Sequence, residues 1–274
     1  MNAPVIVCGT DLTSASERAA EFALNLARAS SARLVLVHTH KPEAASESSA
    51  SSEQLEQNRA RCEAAGIACE ALVRAGEPWE QLNEVASQQD ANLLVVGRGE
   101  RPRDGVRGRL IGSTADRLVR GSRYPVLMVP AEADAASPLT NAVWMVAVDF
   151  GDPALLGVRA AKHWANQTGG SLLLTHIIPP AGSPDLAESD RQFEEKANAH
   201  LAQLVSTEAP EAKQQLLSAH GVPADALLEA ADNAHARVLV IGSQGRTGLP
   251  KFFLGSTAEQ SLQKSTLPVL VVRP

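Results

Sequence analysis

The residues best suited to chemistry lie between Val238 and Thr257, V-L-V-I-G-S-Q-G-R-T-G-L-P-K-F-F-L-G-S-T. Gly242 closes an apolar run, Gly245 follows after two intervening residues, and Gly255-Ser256-Thr257 after nine more. Glycines let a backbone take positive φ and lie close to a ligand. The amide groups of a helix start attract an anion, and Ser256 or Thr257 can cap such a helix with its hydroxyl. Together these groups suit a phosphate chain; a plain glycine turn is the simpler alternative. Other phosphate loops and the nucleophile elbow are missing: there is no G-x-x-x-x-G-K-[ST], no G-x-G-x-x-G after a strand, and no G-x-S-x-G.

Such a loop needs a strand to present it and a helix to receive it. Val238–Ile241 is short and β-branched and predicts a buried strand; Ala258 and Leu262 begin a helical pattern. The same alternation fills the chain. Strands are predicted at Val5–Cys8, Arg33–His38, Ile67–Val73, Leu93–Val96 and Pro125–Val129, with Asp11 just past the first and Gly97 just past the fourth. Between them lie a helix with Phe22, Ala23 and Leu26 on its apolar face, one ending near Ala65, one opened by Pro78, and one after Gly112-Ser113-Thr114. Ala131–Asn141 reads as a linker. Then Val143–Val148 predicts a strand ending at Asp149, and the order repeats. Asp11 and Asp149 stand 138 apart (149 − 11), as do His38 and His176 (176 − 38). Gly97 and Gly242 stand 145 apart (242 − 97), and Gly112 and Gly255 143 (255 − 112). Constant shifts over whole segments mark a duplication. Seven residues are gained in the second half after its second strand, and two are lost from its glycine loop. The prediction is two α/β domains, residues 1–130 and 141–274, each a parallel sheet with helices on both faces.

The spacing Gly242, Gly245, Gly255-Ser256-Thr257 resembles the nucleotide-binding signature of the universal stress protein family, in its UspA-like, ATP-binding branch; the duplication matches a tandem two-domain form. The resemblance implies two doubly wound parallel sheets of strand order 3-2-1-4-5, adenine nucleotide alpha hydrolase-like. It implies an internal pseudo-dimer joined through the terminal strands Pro125–Val129 and Pro268–Val272, with a further homodimer left open. Doubly wound sheets bind ligands beyond the carboxyl ends of their strands, at the switch in strand order. Asp149 and Gly242 should therefore share one crevice although 93 residues separate them (242 − 149). By the same resemblance the ligand is ATP, with Mg²⁺ or Mn²⁺ beside the phosphates. Gly242, Gly245, Gly255, Ser256 and Thr257 would hold the phosphate chain, and the backbone at His176 and Ile177 the adenine edge. The Asp149 carboxylate suits the ribose hydroxyls, with a helix cap as its plainer alternative; Arg246 and Lys251 could neutralise phosphate charge. In the first half Asp11, Gly97, Gly112, Ser113 and Thr114 occupy the matching positions. There, however, Glu100 stands where the family has glycine, and the loop carries Arg98, Arg101, Arg103, Arg107 and Arg109. Either arginines rebuild that site or it is lost; a carboxylate beside a phosphate chain favours loss.

Composition narrows the rest. The 274 residues are 44% apolar and 20% charged, ordinary for a globular protein of about two domains. At 3% aromatic the core must be Leu, Val, Ile and Ala. A formal charge of −6 gives no general attraction to nucleic acid or anionic membranes. No apolar run reaches membrane-span length and no signal peptide is visible, so the expected setting is cytoplasmic. Cys8, Cys62 and Cys69 do not make a disulfide framework, and His38-x-His40 lacks further metal ligands. In the second half Asp149 and Asp152 are the acidic candidates near the loop, too few for a base plus a metal-binding carboxylate pair. The expected function is adenine-nucleotide binding in stress response or signalling, with an unidentified protein partner and at most slow ATP hydrolysis. The alternatives are a slow ATP hydrolase, or a nucleotide-free pseudo-dimer that only binds partners.

Overall fold

Strands buried on both faces of a parallel sheet must be apolar throughout, and the predicted runs fold that way. In the computed structural model the described residues are 3–40, 48–99, 111–178, 187–218, 222–244 and 253–274. Glu100, Arg101, Arg103, Arg107, Arg109, Gly245, Arg246 and Lys251 lie outside them. The chain divides into two units, residues 1–140 with 262–270, and 141–261 with 271–274.

The first half runs β1 (Val5–Thr10), α1 (Ser14–Ser30), β2 (Arg33–His40), α2 (Ser48–Ala64), β3 (Cys69–Ala75), α3 (Pro78–Gln88), β4 (Leu93–Gly97), α4 (Ser113–Gly121) and β5 (Val126–Val129). Its strands lie parallel in the order β3-β2-β1-β4-β5, the expected 3-2-1-4-5. Ile6, Val7 and Cys8 of β1 are fully buried, as are Ala19, Phe22, Ala23 and Leu26 of α1 above them. Thr13 caps α1 by accepting from the Ser16 amide, and Ser31 ends it in the left-handed region. Several strand ends differ from expectation by one or two residues, and the start of the third has a clear cause. Ile67 does not begin β3, because its N–H bonds back to the Cys62 carbonyl at 3.0 Å in the turn that closes α2, and Gly66 takes a φ of +77° there. The strand starts only at Cys69, once the chain has left that turn.

The second half runs β6 (Val143–Ala147), α5 (Asp152–Thr168), β7 (Ser171–Ile178), α6 (Ala187–Glu208), β8 (Lys213–Ser218), α7 (Pro223–Asn233), β9 (Ala236–Gly242), α8 (Ser256–Lys264) and β10 (Val269–Val272). The parallel order β9-β6-β7-β8 repeats β4-β1-β2-β3 of the first half. Much of the inserted length sits in α6, with 22 residues against 17 in α2. Pro153 stands in the first turn of α5 and Gly169 ends it at φ +65°, the expected asymmetry of helix ends. The three cysteines are free thiols.

Candidate functional site

In both halves the turn after the first strand is built around an aspartate. The residue after it takes a left-handed conformation although it is not glycine: Leu12 at φ 63° and Phe150 at 62°. Such positions are costly and cluster at functional turns. The kink folds each carboxylate back on the backbone two residues ahead. Asp149 Oδ1 accepts from the Gly151 amide at 2.9 Å, and Gly151 is the N-cap of α5. Asp11 Oδ1 accepts from the Thr13 amide at 3.1 Å and the Thr13 hydroxyl at 2.6 Å. Asp149 thus makes a turn that leads into α5, but it does not cap the helix, whose N-cap Gly151 has no side-chain cap bond. A conserved geometry holds the turn from the other side: His38 Nδ1–H donates to the Thr10 carbonyl at 2.9 Å, and His176 Nδ1–H donates to the Val148 carbonyl. These histidines tie the second strand to the end of the first, and no metal-binding cluster is found among the described residues. The sequence shows the shared 138-residue shift of His38 and His176, but not that both rings bond to the end of the first strand.

Half-burial works to raise the Asp11 pKa, but hydrogen bonds from Ser16 and Thr13 outweigh it and hold the carboxyl below the usual range. A depressed folded pKa means stability that is present above the unfolded value and lost as pH falls through the folded one. Asp11→Asn is expected to melt at a lower temperature than the wild type near neutral pH, with the gap closing as pH falls through and below the usual carboxylate range. Melting curves of both proteins across that range check it; a gap independent of pH contradicts it.

Beyond the turn, Asp149, Ile177, Gly242, Gly255, Ser256 and Thr257 surround one cavity of about 540 Å³. That size lies within the range of small-molecule sites. The Ser243 carbonyl accepts from the Gly255 amide at 2.9 Å, so the two ends of the glycine loop are pinned together above β9. Ser243 N–H in turn donates to the Val272 carbonyl. The first backbone amide of α8 with an intrahelical-type partner is Glu259, bonded to the Gly255 carbonyl. The amides of Ser256, Thr257 and Ala258 are the ones a helix start leaves over for a ligand, and all three residues line the cavity. Glu259 lines it as well, an acidic group in the first turn that favours the helix dipole but opposes a bound anion. Thr175, Leu227 and Leu254 are lining residues that sequence reading missed. Thr175 was legible through strand alternation, since it lies two residues from Ile177.

The first half brings Asp11, Gly97 and Thr114 around a cavity of about 230 Å³, while Gly112 and Ser113 are not among its lining residues. The Arg98 carbonyl accepts from Gly112 at 2.7 Å, the counterpart of the Ser243–Gly255 bond. The Arg98 side chain points elsewhere. It is 4% exposed, donates to the Ser265 carbonyl at 2.7 Å and pairs with Glu132 at 2.7 Å. This arginine is thus committed to the protein interior, which removes it from a site rebuilt with arginines.

The glycines that end the fourth strand of each half have a second role. A Cβ on Gly242 would meet the Pro153 Cβ at 2.8 Å, the Pro153 carbonyl carbon at 2.9 Å and the Ala154 nitrogen at 3.0 Å. A Cβ on Gly97 would meet the Ala15 oxygen at 3.0 Å. Both glycines admit the start of a helix against the end of a strand. Their presence is explained by packing before any ligand is considered.

Comparison with known proteins matches this architecture. The model of the universal stress protein family matches residues 4–130 and 144–273. A universal stress protein of Mycolicibacterium smegmatis is 30% identical over 196 residues, covering 69% of this chain and 64% of that protein. The chain thus spans under two thirds of the length of that relative. A universal stress protein of Thermus aquaticus is 31% identical over 134 residues, 47% of this chain and 96% of that one. The crystal structure of a universal stress protein from Archaeoglobus fulgidus superimposes with a TM-score of 0.71 over 100% of this chain and 99% of that one, at 22% identity, and so shares the fold. With an α/β sheet order repeated in both halves and the family's domain matched twice, the chain belongs to the universal stress protein family in its tandem, UspA-like form.

Proposed function

We propose that this chain is an ATP-binding universal stress protein that holds nucleotide mainly in its second domain, with little or no catalysis of its own, and acts in stress response or signalling. The observation that supports this most is the contrast between the two cavities, about 540 Å³ against about 230 Å³. The larger one combines helix-start amides at Ser256–Ala258, two hydroxyls and the Asp149 carboxylate. Mg²⁺ or Mn²⁺ beside the phosphates is compatible with the hard oxygen donors of Ser256 and Thr257, phosphate oxygens and water making up most of its ligands. No helix among the described residues is long and apolar enough to cross a membrane. The duplication supports the internal pseudo-dimer, and sedimentation equilibrium would decide whether the 28.9 kDa chain pairs further.

Mass spectrometry of small molecules released from the purified, denatured protein tests the reading. About one adenine nucleotide per chain is expected. Protein that releases none and binds no added ATP contradicts it. With the Asp149 carboxylate assigned to the ribose, the site is expected to turn ATP over slowly, below about 1 s⁻¹, the lower end for ordinary enzymes. Faster steady-state hydrolysis by protein free of contaminating ATPase would overturn the non-catalytic part alone.

A further inference from the structure

All three cysteines lie in the first half of the chain. Leu55, Asn58 and Cys62 form a buried stripe along α2, with Cys62 in its last turn. The Cys62 carbonyl accepts from the Ala65 amide at 3.1 Å and the Ile67 amide at 3.0 Å. The chain therefore turns back past Gly66 and returns as β3, which Cys69 opens. That turn sets the two thiols side by side, with the Cys69 S–H donating to the Cys62 sulfur. The Cys69 sulfur also lies 3.8 Å from the Glu70 carbonyl. Cys62 is 3% exposed and Cys69 is half-buried. Cys62 also lines a small cleft between α1 and α2, about 20 Å³, with Glu17, Asn58 and Arg61 around it. That volume holds about one water-sized molecule, so only a small reagent reaches the sulfur.

The thiolate is the reactive form of cysteine. The bond from Cys69 outweighs burial and, with the Arg61 charge, holds the Cys62 pKa below the usual thiol value. The same bond, together with burial, pushes Cys69 up. A thiolate-prone sulfur beside a second thiol is the arrangement in which an oxidised cysteine is resolved to a disulfide. Cys8 is different: it is fully buried on β1, burial pushes its pKa up, and such thiols are inert. We propose that Cys62 and Cys69 are a peroxide-oxidised thiol pair, closing reversibly to a disulfide between the end of α2 and the outer strand β3. The Cys62 thiolate attacks one oxygen of hydrogen peroxide; an S–O bond forms, the O–O bond breaks, and the departing hydroxide takes a proton from solvent. The Cys69 sulfur then attacks the Cys62 sulfur; the S–S bond forms, the S–O bond breaks, and hydroxide leaves with the Cys69 proton as water. Two thiols give up two electrons, and one peroxide becomes two waters. Neither cysteine lines the two cavities beyond the strand ends, so the test does not depend on nucleotide binding.

Mass spectrometry of the full chain tests it, with the protein reduced, freed of reductant, treated with equimolar hydrogen peroxide and then alkylated during denaturation. Trypsin cuts after Arg61 and Arg74, so both cysteines fall in one peptide, Cys62 to Arg74. In the wild type that peptide is expected two hydrogens lighter and closed to alkylation until a reductant is added. Two of the three thiols are thus lost to alkylation, and Cys8 keeps its label. Cys69→Ser lacks the resolving thiol, so Cys62 should stop at the sulfenic acid and be trapped by dimedone. Cys62→Ser should leave Cys69 open to alkylation at the same dose. A wild type whose Cys62 and Cys69 both remain alkylated overturns the proposal and leaves them as packing residues. A disulfide that includes Cys8, or Cys69 oxidised in Cys62→Ser as fully as in the wild type, overturns it as well.

Discussion

Gly242→Val is expected to abolish nucleotide binding and to destabilise the second half by about 1–3 kcal/mol, the usual range for forcing carbon into a filled interior. The first added carbon would already lie within 3.0 Å of the Pro153 and Ala154 backbone. Backbone at a helix start cannot rotate away as a flexible side chain can. The start of α5 must shift, and with it Gly151 and the Asp149 carboxylate it holds. Gly97→Val is the control. Its closest contact is looser, 3.0 Å to the Ala15 oxygen, and it disturbs the smaller cavity. It should lower stability somewhat less and leave ATP affinity within about twofold of wild type, well below the tenfold of a 1.4 kcal/mol change. Thermal melting and calorimetric titration of the two variants side by side check both parts. Equal loss of ATP affinity in the two would contradict the assignment of the site to the second half.

Gly245→Glu is expected to weaken ATP binding by more than tenfold without a comparable loss of stability. Gly245 lies outside the described residues, so the expectation rests on loop spacing and charge. A glutamate would place a carboxylate and a side chain where the loop approaches the phosphates. Loss of two amide contacts to a charged partner, at roughly 1.5–3 kcal/mol each, exceeds the 1.4 kcal/mol that corresponds to tenfold. The reciprocal Glu100→Gly should gain little, because the first-half loop keeps its two extra residues and Arg98 remains turned to Glu132 and Ser265. Titration of the two variants against wild type reads this directly; unchanged affinity in Gly245→Glu would remove the glycine loop from the account.

The duplication and the alternation of strands and helices were legible because they follow from patterns that repeat over long stretches; the strand order came from the family resemblance. Apolar β-branched runs and constant 138- and 145-residue shifts constrain one another. The meeting of Asp149 with Gly242 around one cavity followed from topology, since strands one and four adjoin at the switch in order. What sequence did not reveal depends on distances between backbones. Gly97 and Gly242 look like ligand glycines, yet each is required by the helix that starts against it. Arg98 reads as a loop cation, and only its burial shows that its charge is paired inside. The start of β3 was misplaced because Ile67 is apolar and β-branched but bonded into the helix-closing turn.

The central claim is that one tight nucleotide site exists and lies in the second half. Calorimetric titration of the nucleotide-stripped full chain with ATP measures it most directly, through the stoichiometry. The account predicts about one tight site per chain, kept in Gly97→Val and lost in Gly245→Glu. Two equal sites in the wild type, or one that survives Gly245→Glu and disappears in Gly97→Val, would contradict it.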